Sequence, residues 1–434
     1  MTSRNESPRR VPALLAGMTA LVATLLPGSA AAQFLPNHLY CGTSRGQIVE
    51  VSPDGEVLRT LVAANDQTEV RGLTFGPDGR LYASLGSDEV VAVDGDGATE
   101  NVLTGFSGAA GGIAFDQDGR LLVMRNNGVS TLDSFGSEGS FNLNDVNEAS
   151  ARGLAVAPDG NLWITANDND ANERRYRLYQ FDATRQVLNR SELNQVFNGP
   201  TGGIDITPAG DIWLAQPGEG FLRRAVVEDS GLTLETLDNN AFQGPNAVLL
   251  GPNGNLFVAD DDANAVFELT TDGALVNTID AAALEDVLSL AFAPFVLKGS
   301  LAGRLGAQNR VPGKAKSKQG LLSLSPGSGT IMYQMPGAAD AVAAALGTRA
   351  LVFHGFEIFE NERSNKRIFM GSSARAPTTT SGTGQITLEV KGRVDAAGHF
   401  AIKKVKGAIQ RATSVAAFQG VVKGNLKGGR GRTD

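Results

Sequence analysis

Arg71-Gly-Leu-Thr-Phe-Gly-Pro-Asp-Gly79, followed by Leu81-Tyr-Ala-Ser-Leu85, is the stretch that decides the fold. Two apolar runs around a Pro-Asp-Gly turn predict two antiparallel strands, because proline presets φ early in the turn and glycine tolerates a positive φ at its end. Related stretches begin at Gly111, Arg152, Gly202, Asn246 and Leu288. Counted from Arg71, successive starts are spaced by 40, 41, 50, 44 and 42 residues, so the chain repeats one strand-turn-strand phrase six times.

Each full copy continues with further strand-like runs. In the copy that begins at Asn246, these runs are Leu256-Phe-Val-Ala259, Val266-Phe-Glu-Leu269 and Leu275-Val-Asn-Thr-Ile279. Four short strands in a repeat of this length are the signature of a β-propeller blade. The last copy stops at Pro294, after its first strand, and the sequence before Arg71 supplies three strands that lack a first one. The two ends complete one blade with the C-terminal strand innermost, which predicts a closed, all-β, six-bladed propeller.

Charge divides the chain into two parts. Residues 33–295 carry 14 arginines, no lysine and 38 acidic residues, a net charge of −24. Residues 296–434 carry 21 basic and 7 acidic residues, a net charge of +14, and every lysine lies at or after Lys298. This shift predicts a propeller domain over 33–296 and a basic, β-rich domain over 297–434, which we interpret as a small antiparallel sandwich or barrel.

Residues 1–32 predict a signal peptide. Arg9-Arg10 precedes a short apolar run that ends at Leu26, and Ala30-Ala-Ala32 offers a small-residue cleavage site. The run is short for a bilayer, which needs about 20 apolar residues. We therefore expect export to the periplasm or the cell exterior, by the general or the twin-arginine route, and no membrane-spanning segment in the mature protein. Cys41, the single cysteine, lies in a strand-like run and is expected to be buried rather than catalytic.

The repeated phrase, Gly-(Ile/Leu)-Ala-(Phe/Val)-x-Pro-Asp-Gly-x-Leu-(Trp/Tyr), resembles the NHL-repeat and gluconolactonase/senescence-marker-protein propellers. It is also similar to the streptogramin (virginiamycin B) lyases close to them. The resemblance covers residues 38–295 and concerns structural turn residues, so it implies the fold more than an activity. Lyase activity is not expected, because that family relies on histidines in the blades. The histidines here, His38, His354 and His399, lie off the repeated inner strands.

The resemblance implies a ligand site at the channel mouth, formed by the residues that precede the inner strands. Those positions combine carboxylates, amides and two arginines. Arg71, Arg152 and Thr201 are the candidate ligand-binding residues, because arginine offers a forked donor to a carboxylate or phosphate. The expected ligand is a small polar or anionic molecule, a glycan or a protein. The alternative is that these residues are solvated loop ends around a water-filled channel.

The resemblance to gluconolactonase-like members further implies a divalent ion in the channel. Glu69, Asn198, Asn246 and Asp286 would supply oxygen ligands of the kind that calcium or magnesium prefers. Such an ion would polarise a lactone or ester carbonyl and activate water. Asp260-Asp-Asp262 also suggests calcium, but its place in a turn between two strands favours a solvated hairpin.

Two functions therefore remain open. The first is an exported binding or scaffold protein whose basic domain attaches to an anionic cell surface or to the acidic propeller itself. The second is a metal-dependent lactonase or esterase. Nucleic acid is not an expected partner, because the acidic propeller shows no basic and aromatic pattern. The chain also lacks a cysteine-histidine zinc spacing and a glycine-rich phosphate loop.

Overall fold

The structure is a computed structural model that describes most of the propeller and the strands that follow it. The described residues are 34–62, 64, 68–105, 111–125, 128–133, 136, 138–142, 148–168, 175–182, 186–194, 202–228, 231–238, 241–307, 314–316, 320–325, 329–334, 350–353, 356–361, 366–371, 384–394, 400–412 and 417–425. The predicted signal peptide lies outside them. Within these ranges, no helix is long and apolar enough to cross a membrane.

Twenty-four strands precede Ala293. In chain order they are β1 (Leu39–Thr43), β2 (Gln47–Val51), β3 (Val57–Val62), β4 (Val70–Phe75), β5 (Leu81–Leu85), β6 (Glu89–Val93), β7 (Thr99–Thr104), β8 (Ile113–Phe115), β9 (Leu121–Arg125), β10 (Gly128–Leu132), β11 (Glu138–Asn142), β12 (Glu148–Val156), β13 (Leu162–Asp168), β14 (Arg175–Phe181), β15 (Val187–Asn194), β16 (Ile204–Ile206), β17 (Ile212–Gln216), β18 (Phe221–Glu228), β19 (Gly231–Asp238), β20 (Pro245–Leu250), β21 (Leu256–Asp260), β22 (Ala265–Leu269), β23 (Leu275–Asp280) and β24 (Val287–Phe292). Two 3-10 helices, Pro217–Glu219 and Ala282–Leu284, complete the described elements of this part.

These strands form six four-stranded antiparallel sheets, which are the blades. Blade 1 has the order β24-β1-β2-β3, and blades 2 to 6 are β4–β7, β8–β11, β12–β15, β16–β19 and β20–β23. In blade 1, Leu39 pairs with Phe292 and Cys41 with Leu290, so the chain ends interlock with the C-terminal strand innermost. The inner strands β24, β4, β8, β12, β16 and β20 contact one another in sequence and back to β24. The predicted closed six-bladed propeller is therefore confirmed.

Apolar clusters fill the space between neighbouring blades all the way round the ring. Each cluster draws buried residues from two adjacent sheets, as when Trp163 of blade 4 joins Ile212 of blade 5. A blade cannot bury both of its faces alone, and the ring gives every face a partner. Cys41 is buried in one such cluster, as predicted, and burial raises the pKa of its thiol well above the ordinary value.

Buried hydroxyl groups fix the inner strands at the axis. The Ser84 Oγ donates to the Gly111 carbonyl at 2.5 Å, and the Ser289 Oγ donates to the Val70 carbonyl at 2.8 Å. Each bond joins one blade to the residue that precedes or begins the inner strand of the next blade. Gly111 and Ser289 line the central channel, so these bonds position its wall.

The C-terminal region is also antiparallel β-structure, as predicted. Its strands are β25 (Phe295–Ala307), β26 (Lys314–Lys316), β27 (Gly320–Ser325), β28 (Thr330–Gln334), β29 (Ala350–Phe353), β30 (Phe356–Asn361), β31 (Lys366–Gly371), β32 (Gly384–Val394), β33 (Phe400–Ala412) and β34 (Ala417–Asn425). They form one sheet of order β29-β28-β27-β25-β34-β33-β32-β31-β30, with β26 on β25. Its first strand begins beside the predicted domain boundary.

Candidate functional site: the central channel

A cavity of about 700 Å³ runs along the propeller axis. The inner strands of all six blades contribute to its wall, and residues of β27, β28 and β29 line its far end. Its volume lies in the range of small-molecule binding pockets, which is roughly 300–1,000 Å³. The cavity has two different ends, here called the upper mouth, where the inner strands begin, and the lower end, where they finish.

The upper mouth is polar. Glu69 and Arg71 line it at the start of β4, Asn246 lines it on β20, and Asp261 and Asp262 line it from the turn after β21. The Glu69 carboxylate accepts a hydrogen bond from the Arg71 Nε at 2.5 Å, and the Glu69 side chain is 42% exposed. The charge of Arg71 is therefore matched by Glu69, and the aspartates leave this rim with an excess of negative charge.

Asp260 is a buried residue that holds two loops together at one side of the mouth. It is fully buried, and its carboxylate accepts hydrogen bonds from three backbone N–H groups, those of Gln243, Gly244 and Ala263, at 2.8, 2.8 and 2.9 Å. These bonds hold the Asp261–Asp262 turn against the loop before β20. The predicted solvated hairpin is therefore wrong for Asp260, because its carboxylate is enclosed by backbone donors.

Asp261 carries a perturbed carboxyl group at the cavity wall. Partial burial, together with the neighbouring charges of Asp262 and Asp260, raises its pKa to about 6 against opposing backbone hydrogen bonds. Two like charges this close disfavour each other's ionisation. The rim therefore favours a cationic or hydrogen-bond-donating group, whereas the sequence predicted a small polar or anionic molecule, a glycan or a protein.

The lower half of the cavity is mostly apolar. Every inner strand ends with a large apolar residue that lines it: Phe75, Phe115, Val156, Ile206, Leu250 and Phe292. In blades 2 to 6 these residues come directly before the turn that leads to the second strand. The ring they form offers apolar contact to a ligand that enters from the mouth.

The C-terminal sheet forms the floor. Met332 on β28 and Val352 on β29 are buried and line the lower end of the cavity, together with Ser325 and Thr330. The Val352 N–H donates to the Gln117 carbonyl, in the turn of blade 3, at 3.2 Å. The channel is thus a pocket, with its mouth at the end of the propeller opposite the C-terminal sheet.

Gly119 shows how closely the two parts approach. It ends a turn of blade 3 with φ +73°, and a Cβ built there would overlap the Cβ of Ala350 and lie 3.0 Å from its carbonyl carbon. Only glycine gives both the positive φ and the missing side chain at this contact. The turn that the repeat uses in every blade therefore serves at Gly119 to seat β29.

Asp205 places an ionisable group in the lower wall. It is partly buried on β16, and its Oδ2 accepts a hydrogen bond from the Leu250 N–H of the next inner strand at 2.7 Å. Burial raises its pKa to about 6, although N–H donors from Leu250 and Ile206 favour the ionised form. The corresponding positions of the other inner strands hold uncharged residues, so Asp205 distinguishes this part of the wall; those residues are Thr74, Ala114, Ala155, Leu249 and Ala291.

The structure brings together three of the predicted site residues. Glu69, Arg71 and Asn246 line the same mouth. Arg152 lies on β12, and its backbone places it toward the mouth end of that strand. Thr201 and Asn198 lie outside the described residues, so their part in the site stays a prediction.

Asp286 lies away from the cavity lining. The Ser44 Oγ donates to its Oδ2 at 2.9 Å, and its own N–H donates to the Asn264 Oδ1 at 2.9 Å. With Glu69 paired to Arg71, the described members of the predicted ligand set do not form a joint oxygen cage for a divalent ion. Among the described residues, no group of three or more histidine, cysteine, aspartate or glutamate side chains could hold a metal. The four-residue metal site stays a prediction, because Asn198 is not described.

The sequence reasoning missed the apolar ring and the floor. A signal for the ring was present, since the residue before each turn is large and apolar in every repeat, but such residues also serve ordinary core packing. The floor had no local signal, because Met332 and Val352 reach the cavity only through the packing of two domains.

No family model and no curated protein matches this sequence. Among solved structures, virginiamycin B lyase from Staphylococcus aureus is similar to this chain at 13% identity, with 69% of this chain and 90% of that chain covered and a TM-score of 0.41. A putative gluconolactonase is similar at 14% identity, with 60% and 86% covered and a TM-score of 0.42. The calcium-binding protein regucalcin from Agrobacterium tumefaciens is similar at 15% identity, with 65% and 88% covered and a TM-score of 0.43.

These are proteins of the groups that the repeat phrase resembles. The similarity concerns the propeller fold, which the strand pairing establishes independently. At these identities the neighbours' activities are not transferred to this chain, and the argument for function depends on the cavity itself.

Proposed function

We propose that this chain is an exported binding protein that holds a small amphipathic molecule in the propeller channel. The observation that carries the proposal is the form of the cavity: a polar, acidic mouth above an apolar lower half that ends at the floor formed by the C-terminal sheet. An apolar body would fill the lower half, and a cationic or hydrogen-bond-donating end would lie near Asp261 and Asp262. Burial of the apolar body supplies affinity, and the mouth selects the polar end.

A matched set of fluorescent probes tests this proposal. N-phenyl-1-naphthylamine is neutral, dansylcadaverine carries an ammonium group, and anilinonaphthalene sulfonate carries a sulfonate. We expect saturable binding of one neutral or one cationic probe per chain and weaker binding of the anionic probe. Absence of saturable binding by the neutral and cationic probes would overturn the proposal.

Charge variants locate the binding. Asp261→Asn combined with Asp262→Asn should lower the affinity for the cationic probe about five- to ten-fold, because a nearby charge contributes on the order of 1 kcal/mol. The affinity for the neutral probe should stay unchanged. The matched control is Asp272→Asn combined with Asp280→Asn, which removes two exposed charges of the same blade away from the cavity. Equal loss in both variants would mean that overall charge, rather than the mouth, attracts the probe.

The lactonase alternative has a separate test. Metal content of the purified protein and its melting temperature with and without a chelator would be measured alongside hydrolysis of lactones and esters. One divalent ion per chain that is lost in Glu69→Gln or Asn246→Ala, together with hydrolysis, would replace the binding proposal with a metal-dependent hydrolase. Hydrolysis without an ion would contradict both.

A further inference from the structure

The central strands of the C-terminal sheet place basic residues on one face. Residues that pair directly across strands share a face, and alternate residues along a strand return to it. Lys391 pairs with Lys404 between β32 and β33, and Lys406 pairs with Lys423 between β33 and β34. Lys423 is opposite Ala302 of β25, which pairs in turn with Lys316 of β26.

The next row of the same face continues the pattern. Arg304 of β25 pairs with Lys314 of β26, two residues along from the preceding pair. The face that carries these residues, here called the basic face, has seven basic positions: Lys391, Lys404, Lys406, Lys423, Arg304, Lys314 and Lys316. The same rows also contain the uncharged residues Ala302, Thr387, Ala408 and Val421. Glu389, opposite Lys406, is the acidic residue in these rows.

The opposite face of the same strands is apolar in these rows, and Arg411 lies on it two residues beyond Ile409. Ile386 pairs with Ile409, and Val390 pairs with Val405. Leu305 lies at the corresponding level of β25, opposite Gly420. Alternation of this kind is typical of an antiparallel sheet with one face packed on apolar groups and the other in water. Lysine is rarely buried without a partner.

We propose that the basic face binds a membrane surface rich in anionic phospholipid headgroups. The seven positions spread over five adjacent strands, about 19 Å across the sheet and about 14 Å along it, given the usual strand spacing and rise. A two-dimensional array of positive charge complements a plane of headgroup phosphates, whereas a linear polyanion would fit a single stripe or groove. Six of the seven positions are lysine, whose flexible point charge suits a mobile surface better than the directional fork of arginine.

The arrangement of the two domains agrees with this orientation. The propeller has a net charge of −24, so an anionic membrane repels it and attracts the C-terminal domain. The channel mouth lies at the end of the propeller away from the C-terminal sheet, because β28 and β29 line the opposite end. Attachment through the C-terminal domain is therefore compatible with an accessible mouth.

Vesicle flotation of the purified full-length mature chain tests the proposal. Vesicles of phosphatidylcholine alone would be compared with vesicles that also contain phosphatidylglycerol, at low and at physiological ionic strength. We expect binding that requires phosphatidylglycerol and weakens as salt screens the charges. Binding to both kinds of vesicle alike, or to neither, would overturn the proposal.

A triple variant tests the face itself. Lys404→Gln, Lys406→Gln and Lys423→Gln together should weaken binding about 100-fold, since each basic residue near an anionic surface contributes roughly a factor of five. The matched control, Lys427→Gln with Arg430→Gln and Arg432→Gln, makes the same change of net charge near the chain end and should change binding less than five-fold. Equal loss in the control would assign the attraction to net charge and overturn the proposal.

Two further experiments complete the vesicle test: a single-residue variant and binding to soluble polyanions. If circular dichroism shows that the triple variant does not fold, Lys406→Gln alone replaces it, with an expected loss of about five-fold. Heparin and duplex DNA would be tested as soluble polyanions. Tight binding of either polymer together with failure to bind vesicles would show that the basic face serves a polymer rather than a membrane.

Discussion

The contact at Gly119 allows the docking of the C-terminal sheet to be measured by one substitution. Gly119→Ala introduces two costs: a left-handed backbone that alanine disfavours, and an overlap with Ala350. The backbone term is about 1 kcal/mol. The overlap forces β29 or the turn to move, and overpacking of this kind costs about 1–3 kcal/mol. We therefore expect Gly119→Ala to lower the free energy of unfolding by about 2–4 kcal/mol.

Gly254 supplies the control. It ends the equivalent turn of blade 6 with φ +85°, and an added Cβ would meet nothing within 4 Å. Gly254→Ala should therefore show the backbone cost of about 1 kcal/mol and no more. The difference between the two variants isolates the contact with the C-terminal sheet.

Urea unfolding followed by tryptophan fluorescence is the assay, because Trp163 and Trp213 are both buried in the propeller. Affinity for N-phenyl-1-naphthylamine would be measured in parallel, since displacement of β29 moves Val352 from the floor of the cavity. We expect Gly119→Ala to weaken probe binding and Gly254→Ala to leave it unchanged. Equal destabilisation with unchanged binding in both variants would refute the inferred docking of β29 on the propeller.

Three further predictions concern groups at the cavity. Asp260→Ala should lower the free energy of unfolding by about 3–5 kcal/mol, because three buried backbone N–H groups lose their acceptor. Asp272→Ala on the surface should change it by no more than about 0.5 kcal/mol. Similar losses in the two variants would contradict the role of Asp260 in holding the turn. Asp205 has an ordinary pKa of 3.8 and a folded pKa of about 6, so the folded state retains a proton across that interval. Stability should fall as pH rises through it, and Asp205→Asn should reduce the slope in urea titrations at several pH values. Arg71→Gln should change the free energy of unfolding by less than about 1 kcal/mol, because its ion pair with Glu69 is partly exposed. It should raise the affinity for the cationic probe, because it adds net negative charge at the mouth. An unchanged preference for the cationic over the anionic probe would mean that the probe binds elsewhere.

The repeat phrase was sufficient to predict the propeller because its information is local. A Pro-Asp-Gly turn between two apolar runs specifies a hairpin wherever it occurs, and the observed spacing specifies a four-stranded blade. The incomplete sixth copy supplies one strand and the N-terminal sequence supplies three, so together they make one complete blade. The pairing of β1 with β24, in which Leu39 is opposite Phe292, therefore follows from the sequence. The domain boundary that the charge shift near Lys298 predicts stays a prediction.

The candidate site was only partly accessible to such reasoning. Position in the repeat placed Glu69, Arg71 and Asn246 at the mouth correctly. It could not show that the Arg71 guanidinium is paired with Glu69, nor that Asp286 is engaged by Ser44, because these depend on side-chain geometry between loops. The ligand predicted from the sequence, a small polar or anionic molecule, a glycan or a protein, stays a prediction.

The sequence by itself determined the blades, their number and the charge difference between residues 33–295 and 296–434, because hairpins and composition are properties of neighbouring residues. The tertiary structure alone decided that the channel has a floor and that its lower half is apolar. Met332 and Val352 are separated by more than 100 residues from Phe75, Phe115 and Val156, which share the cavity with them. Only the packing of the C-terminal sheet on the turns of the blades brings these residues together, and no pattern along the chain records that contact.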